Sequence, residues 1–71
     1  MNLGDQLKHI RKIYGLTQKE LAAQSGVSFS FVNGVETGSS SIRLETLNKA
    51  LNLLGCEIAI IDKKTKKVIG L

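Results

Sequence analysis

The first apolar stripe along the chain has helical spacing. Its members recur at intervals of four, three and four residues: Leu3, Leu7, Ile10 and Tyr14. This spacing places them on one face of an amphipathic helix. The stripe predicts a first helix that ends at Gly15, because glycine readily takes the left-handed conformation of a helix end.

A second, shorter helix is predicted from its capping residues. Thr17 is followed three residues later by Glu20, the spacing of a capping box in which each residue satisfies a free N–H group at the helix start. Leu21 and Ala22 are predicted to face inward, and Gly26 to end this helix.

A third helix follows after only a short connection. Ser28 is suited to cap its start, Val32 and Val35 lie on its inner face, and Gly38 is suited to end it. The serines at 39–41 predict a polar loop. A fourth helix is predicted to end at Gly55, with one apolar stripe formed by Leu44, Leu47, Leu51 and Leu54.

The apolar pattern changes after residue 55. The segment "CEIAIID" is rich in isoleucine and too short for a helix, and "KKTKK" separates it from "VIGL". This predicts a strand, a turn and a weaker second strand. Ile58 and Ile60 would face one way and Ala59 and Ile61 the other, so both faces are apolar. Since a lone hairpin is marginal in water, we expect this segment to pair with its twin in a dimer.

Length and composition narrow the classes of protein. With 71 residues the chain forms one small domain, which as a monomer buries only about 60% of its unfolded surface. Cys56 has no second cysteine for a disulfide, and together with the single histidine, His9, it is too few for a zinc site. We therefore expect no metal and no cofactor, and oligomerisation as the stabilising device. No segment has the pattern of a signal peptide or a membrane span, which favours the cytoplasm.

Positive charge is concentrated near the end of the chain. The net charge is +4, and residues 62–71 hold four lysines against one aspartate: Lys63, Lys64, Lys66, Lys67 and Asp62. A basic segment of this kind fits a nucleic acid, an acidic protein partner or simple solubility. The charge distribution alone does not choose among them.

The second and third predicted helices together have the pattern of a helix-turn-helix. Ala22 is small enough for the two helices to approach, and Gly26 can take the turn conformation. Val27 joins Val32 and Val35 in anchoring the third helix, so its opposite side would stand out from the body. That outer side is predicted to consist of Phe29, Ser30, Asn33, Gly34 and Thr37.

Residues 3–38, "LGDQLKHIRKIYGLTQKELAAQSGVSFSFVNGVETG", resemble the phage-repressor or Cro-type (XRE) helix-turn-helix family. The resemblance extends to Gly55. It implies a mainly α-helical, lambda-repressor-like domain of four to five helices over residues 1–55, with the helix-turn-helix motif at about 17–36. Residues 56–71 would add a short β-strand or hairpin used for dimerisation.

A narrower resemblance involves the segment "SIRLETLNKALNLLGCEIAIID". It is similar to HipB-like antitoxins, in which the fourth helix runs into a short dimerisation strand. This resemblance implies a HipA-like kinase toxin as a further partner. A stand-alone repressor remains the other interpretation.

The resemblance also implies roles for individual residues. By position in the family, contacts to DNA phosphates fall on Gln18, Ser28, Thr37 and Arg43, and contacts to bases on Phe29, Ser30, Asn33 and Gly34. Lys19 is expected to contact phosphate as well, because it supplies positive charge beside this motif. The base-facing set contains no lysine or arginine, unlike many members of the family. Asn33 can pair with adenine and Phe29 can contact a thymine methyl, which favours A·T pairs.

Two further expectations concern the body of the domain. Arg11 and Glu36 match a family ion pair that joins the first helix to the third, and solvated surface charge is the alternative. We expect the ion pair, because Arg11 borders the first apolar stripe and so lies near the edge of the core. Phe31 lies four residues before Val35 and is expected to pack at the edge of the core. Ile58, Ile60 and Ile61 are the expected dimer interface.

These observations predict a dimeric, sequence-specific DNA-binding repressor that acts on a palindromic operator in double-stranded DNA. No arrangement of nucleophile and base or of carboxylates suggests an enzyme. The competing interpretation is a protein-binding adaptor that kept the fold and lost DNA recognition, favoured by a third helix without cations.

Overall fold

The computed structural model describes residues 2–39 and 41–69 and is mainly helical. Four α-helices lie within these residues: α1 (Leu3–Ile13), α2 (Gln18–Ser25), α3 (Phe29–Glu36) and α4 (Leu44–Leu53). Met1, Ser40, Gly70 and Leu71 lie outside the described residues, so the serine loop and the "VIGL" segment are described only in part.

The predicted starts and ends of the helices are confirmed by their caps. Thr17 Oγ1 accepts from the Glu20 N–H and the Glu20 carboxylate accepts from the Thr17 N–H, which completes the capping box. Gly26 ends α2 with a positive φ of 78°. Ser28 caps α3 by accepting a hydrogen bond from the Phe31 N–H at 3.0 Å. These local contacts fix where the two central helices begin and end.

The core takes apolar side chains from all four helices and from the residue that follows α4. Its buried members are Leu7, Leu21, Ala22, Val32, Val35, Leu47, Ala50, Leu51 and Leu54. In this packing α3 contacts α1 and α2, and α2 also contacts α4. Phe31 packs against this core, as expected. The inner side of α3 is therefore fixed by Val32 and Val35, which are 0% and 2% exposed.

The outer members of two predicted stripes do not reach the core. Tyr14 is 54% exposed, Leu44 is 60% exposed and Leu3 is 37% exposed. The face that α1 buries instead runs through Gly4, Leu7 and Arg11. Apolar spacing alone misjudged the rotation of α1, because that rotation follows from its packing against α3.

Gly4 lies directly against the end of α3. A Cβ atom built on Gly4 would stand 2.5 Å from the Val35 carbonyl oxygen and 3.0 Å from that of Glu36. Only a residue without a side chain permits this approach of helix to backbone. Gly4 therefore sets the distance between α1 and α3.

The predicted terminal strands are reduced to a single antiparallel bridge, between Ile61 and Val68. The Ile69 N–H donates to the Ile60 carbonyl at 2.7 Å, on one side of a turn over residues 62–67. Two full strands are therefore not shown in the described part of this chain. A strand needs a partner along its length, and here only the short return segment is available.

The isoleucines of this tail are placed differently from one another. Ile58 packs against the core, whereas Ile60 and Ile61 are 52% and 57% exposed. Across residues 2–39 and 41–69, no helix is both long and apolar enough to cross a bilayer.

Candidate nucleic-acid interface

One side of α3 stands out from the body of the domain. Val32 and Val35 hold its opposite side in the core, and Phe29, Ser30 and Asn33 are exposed on the outer side. Phe29 and Asn33 are one helical turn apart, which places their side chains side by side. The outer surface of α3 thus presents an aromatic ring, a hydroxyl and an amide.

A buried ion pair holds the end of α3 to α1. The Arg11 Nε donates to Glu36 Oε2 at 2.7 Å, and its Nη2 donates to Glu36 Oε1 at 2.9 Å. The two side chains are only 8% and 2% exposed. Arg11 Nη1 also donates to the Leu16 carbonyl at 2.7 Å, in the connection between α1 and α2. The structure therefore brings Arg11 and Glu36 together at the edge of the core.

Gln18, the first residue of α2, joins the same cluster. Its Nε2 donates to Glu36 Oε1 at 3.0 Å. The Glu36 carboxylate therefore links α1, α2 and α3. We call Arg11, Gln18 and Glu36 the junction cluster.

The two hydroxyls at the ends of α3 are presented differently. Ser28 Oγ accepts the cap hydrogen bond from the Phe31 N–H, so its own proton remains available to a phosphate. Thr37 Oγ1 instead donates its proton to the Asn33 carbonyl at 2.8 Å. Because phosphate oxygens only accept, Thr37 must rotate before it can donate to one.

One exposed cation precedes α3 in the sequence and another follows it. Lys19 is exposed in the first turn of α2. Arg43 is exposed at the N-cap of α4, and its side chain makes no capping hydrogen bond there. Among the described residues, neither side chain has a hydrogen-bond or ion-pair partner, so both can meet solvent anions.

Gly34 faces the loop that follows α3. A Cβ atom there would lie 3.4 Å from the Ser39 Cβ, and the Ser39 N–H donates to the Gly34 carbonyl at 2.7 Å. A side chain at this position would therefore contact the loop. This arrangement gives Gly34 a structural neighbour that the sequence pattern did not reveal.

A comparison with known families decides the assignment. The family model described as "Helix-turn-helix" (HTH_3) matches residues 7–61, which include the four helices from the middle of α1 onward. The chain belongs to the helix-turn-helix family. This family is a class of DNA-binding transcriptional regulators and not a class of enzymes.

Individual relatives agree with this membership. The chain is 32% identical over 60 residues to the Uncharacterized HTH-type transcriptional regulator y4mF of Sinorhizobium fredii, which covers 84% of this chain and 79% of that protein. Among solved structures it is similar to the MDT Protein, with a TM-score of 0.76, 29% identity and 87% of each chain covered. A chain of the HipA-HipB-O2-O3 complex gives the same four values.

A third solved structure is a complex of a HipB variant with an O2 20mer. The helix-turn-helix domain aligns with it at a TM-score of 0.75 and 29% identity, covering 87% of this chain and 86% of that one. The mainly helical, HipB-like fold expected from the sequence is thus confirmed.

The two titratable members of the junction cluster in this helix-turn-helix domain, Arg11 and Glu36, are held in their charged forms. Burial would raise the pKa of the Glu36 carboxyl, but hydrogen bonds from Arg11 and Gln18 outweigh burial and hold that pKa below its ordinary value. The hydrogen bond with Glu36 raises the pKa of Arg11. Within the described residues, every buried side-chain nitrogen and oxygen has a hydrogen-bond partner. The cluster is a satisfied structural unit.

Sequence reasoning missed two parts of this arrangement. The hydrogen bond between Gln18 and Glu36 joins residues 18 apart, and no local pattern signals it. The burial of Gly4 had a signal in the sequence, because Gly4, Leu7 and Arg11 have the spacing of one helical face. In the part of the chain that the structure describes, no group of three His, Cys, Asp or Glu side chains could hold a metal ion.

Proposed function

We propose that this chain is a dimeric repressor that inserts α3 into the major groove of a palindromic operator. The observation that carries the proposal is the outer surface of α3, where Phe29, Ser30 and Asn33 stand exposed on a helix held rigidly from behind. Such a helix can enter the groove without unfolding any part of the domain. In this role the protein acts in the cytoplasm.

The chemistry of this surface favours A·T pairs. The Asn33 amide can donate a hydrogen bond to adenine N7 and at the same time accept one from the adenine N6 amino group. Phe29, 44% exposed, can lie against a thymine methyl. Ser30 tolerates either base, and Gly34 adds only backbone. Specificity therefore centres on Asn33.

Affinity comes from groups that surround α3. Lys19 and Arg43 supply positive charge, while Gln18 and Ser28 supply neutral donors to phosphates. Thr37 joins them after it rotates. Because phosphate contacts give affinity and base contacts give specificity, a recognition helix without cations is compatible with tight binding.

Two copies are needed to span a palindrome. The exposed side chains of Ile60 and Ile61 offer apolar surface for a twofold pairing of the segment after α4, with Ile58 beneath them on the core. Residues 1–55 then form the DNA-binding part and residues 56–71 the dimerisation part. Two copies would place their recognition helices on half-sites about one helical turn apart.

We also infer an antitoxin role. Two of the solved structures that the chain resembles contain HipB, one together with HipA and one with an O2 20mer. Because they are 29% identical and cover 87% of the chain, they support more than a shared topology. The partner is then a HipA-like kinase toxin, and the chain both represses its operon and binds that toxin.

Selection from a randomised duplex pool tests the DNA-binding proposal. We expect half-sites with an A·T pair that is read by Asn33. Asn33→Ala should weaken binding to the selected site by about 1–3 kcal/mol, and binding to random DNA by far less. The matched control is Asn52→Ala, which alters an exposed asparagine on α4. Specificity that remains equal to that of the control after Asn33→Ala and after Phe29→Ala would mean that α3 is not the recognition helix.

A salt titration separates a repressor from a protein-binding adaptor. A dimer that neutralises several phosphates must lose affinity steeply as salt rises. The antitoxin role is tested by co-expression with a kinase encoded beside the gene. Growth rescue and co-purification support it, whereas a neighbourhood without any such kinase contradicts it.

A further inference from the structure

The side-chain amide of Gln18 is held in one orientation by the junction cluster. Its Nε2 points to Glu36 Oε1 at 3.0 Å. The reverse orientation would set the amide oxygen against a carboxylate oxygen, and two acceptors repel each other. Because the pKa of Glu36 lies below its ordinary value, its carboxylate stays charged at neutral pH. The charged carboxylate keeps the Gln18 amide in this orientation.

The same amide nitrogen carries a second hydrogen. Only one of its two hydrogens is used by Glu36, and Gln18 is a half-buried residue at the start of α2. A group held at a fixed angle binds an anion at a lower entropic cost than a freely rotating one. Gln18 is therefore a prearranged donor.

Glu36 cannot contact DNA itself. Its side chain is 2% exposed, and its negative charge would repel a phosphate. Arg11 is 8% exposed and directs three N–H groups inward, two to Glu36 and one to the Leu16 carbonyl. These three N–H groups are not available to DNA, so a neighbour such as Gln18 is the route by which this pair can act on DNA.

We propose that Glu36, itself held by Arg11, is a positioning residue that aims the second N–H of Gln18 at a DNA phosphate. This inference rests on the proposed DNA-binding function and specifies how one of its phosphate contacts is made. It predicts that the ion pair and the DNA contact are energetically coupled. A purely structural ion pair would stabilise the fold without altering the contribution of Gln18.

A double-mutant cycle measured on DNA affinity tests the coupling. The affinity for the selected operator is measured for four proteins. They are the wild type, Gln18→Ala, the double variant Arg11→Met with Glu36→Leu, and the triple variant with all three changes. The paired substitution replaces the buried charges by apolar groups of similar size, which commonly keeps the fold. Circular dichroism confirms folding of each variant before binding is measured.

The expected result is strong non-additivity. Gln18→Ala should weaken operator binding about tenfold or more in the wild-type background, because it removes a hydrogen bond to a charged group. In the Arg11→Met, Glu36→Leu background, Gln18→Ala should lower the operator affinity by less than about twofold. Equal losses in both backgrounds would overturn the proposal.

A spectroscopic measurement covers the case in which the paired variant does not fold. In the wild-type protein, the side-chain amide of Gln18 gives two NMR proton signals. Adding operator should shift the proton that faces DNA and leave the one bonded to Glu36 in place. If both shift together, or neither shifts while the operator is bound, the inference is wrong and DNA binding stands. If wild type binds no selected duplex, the proposed function fails first.

Discussion

Gly4 and Val35 meet where α1 crosses the end of α3. The Val35 carbonyl oxygen lies so near that a Cβ on Gly4 would come within 2.5 Å of it. The neighbour is rigid helix backbone, which cannot turn aside as the tip of a side chain can. A single missing methyl group thus allows α1 to reach the helix that we propose reads DNA.

Gly4→Ala should destabilise the domain by about 1–3 kcal/mol, because overpacking against backbone forces the two helices apart. The matched control is Gly34→Ala in α3, where the new Cβ meets only Ser39 at 3.4 Å. At that position the higher helix propensity of alanine should stabilise the domain by about 0.5–1 kcal/mol. Urea unfolding of both variants measures the two free energies.

The opposite signs are the informative part of this prediction. Both substitutions add the same methyl group within a helix, so propensity alone would stabilise both. Two stabilised variants would mean that α1 and α3 do not approach as closely as Gly4 and Val35 indicate.

Arg11→Ala should lower the free energy of unfolding by about 3–5 kcal/mol, because it leaves the Glu36 carboxylate buried without its cation. The control is Lys12→Ala, which changes the neighbouring but exposed cation of α1 and should cost less than about 0.5 kcal/mol. Chemical denaturation decides. A loss of under about 1 kcal/mol for Arg11→Ala would indicate a solvated pair.

Acid should unfold the domain partly through Glu36. Its pKa in the folded state is below the value of about 4.3 expected when unfolded, so its contribution is complete above that pH. That contribution is lost as the pH falls through the folded pKa. Backbone hydrogen bonds also lower the pKa of Glu20 at its cap and of Asp62 in its turn, with the same sign.

Stability measured between pH 7 and pH 2 should therefore stay level to about pH 5 and then fall. The Arg11→Met, Glu36→Leu variant lacks the contribution of Glu36 and keeps those of Glu20 and Asp62, so the decline in its stability should be shallower. Parallel curves for the two proteins would show that Glu36 contributes nothing to acid unfolding.

Ile60→Lys combined with Ile61→Lys should convert the proposed dimer into a folded monomer. Both side chains are more than half exposed, so the changes disturb the interface and not the core. Deleting residues 56–71 would be a less clean test, because Cys56 and Ile58 pack against the core. Ile13→Lys, at an exposed isoleucine of α1, is the control.

Sedimentation should show a monomer for the double variant and a dimer for the control. The monomer should bind a palindromic duplex far more weakly, since the second half-site is no longer tethered to the first. A dimer that persists in the double variant would place the interface elsewhere.

The sequence by itself determined the helices and their limits. The capping box of Thr17 and Glu20, the turn at Gly26 and the cap at Ser28 depend on residues within one turn of each other. Such contacts form wherever the chain brings these residue types together in sequence. The inner face of α3 followed from periodicity for the same reason.

Only the tertiary structure decided how the helices face one another. Tyr14 and Leu44 share apolar spacing with buried residues and yet lie outside the core, while Gly4 and Arg11 are buried at its edge. Burial depends on which element covers a face, and that element comes from elsewhere in the chain. The bond from Gln18 to Glu36 and the single bridge after α4 depend likewise on distant partners, because side-chain and strand contacts form between surfaces that only folding brings together.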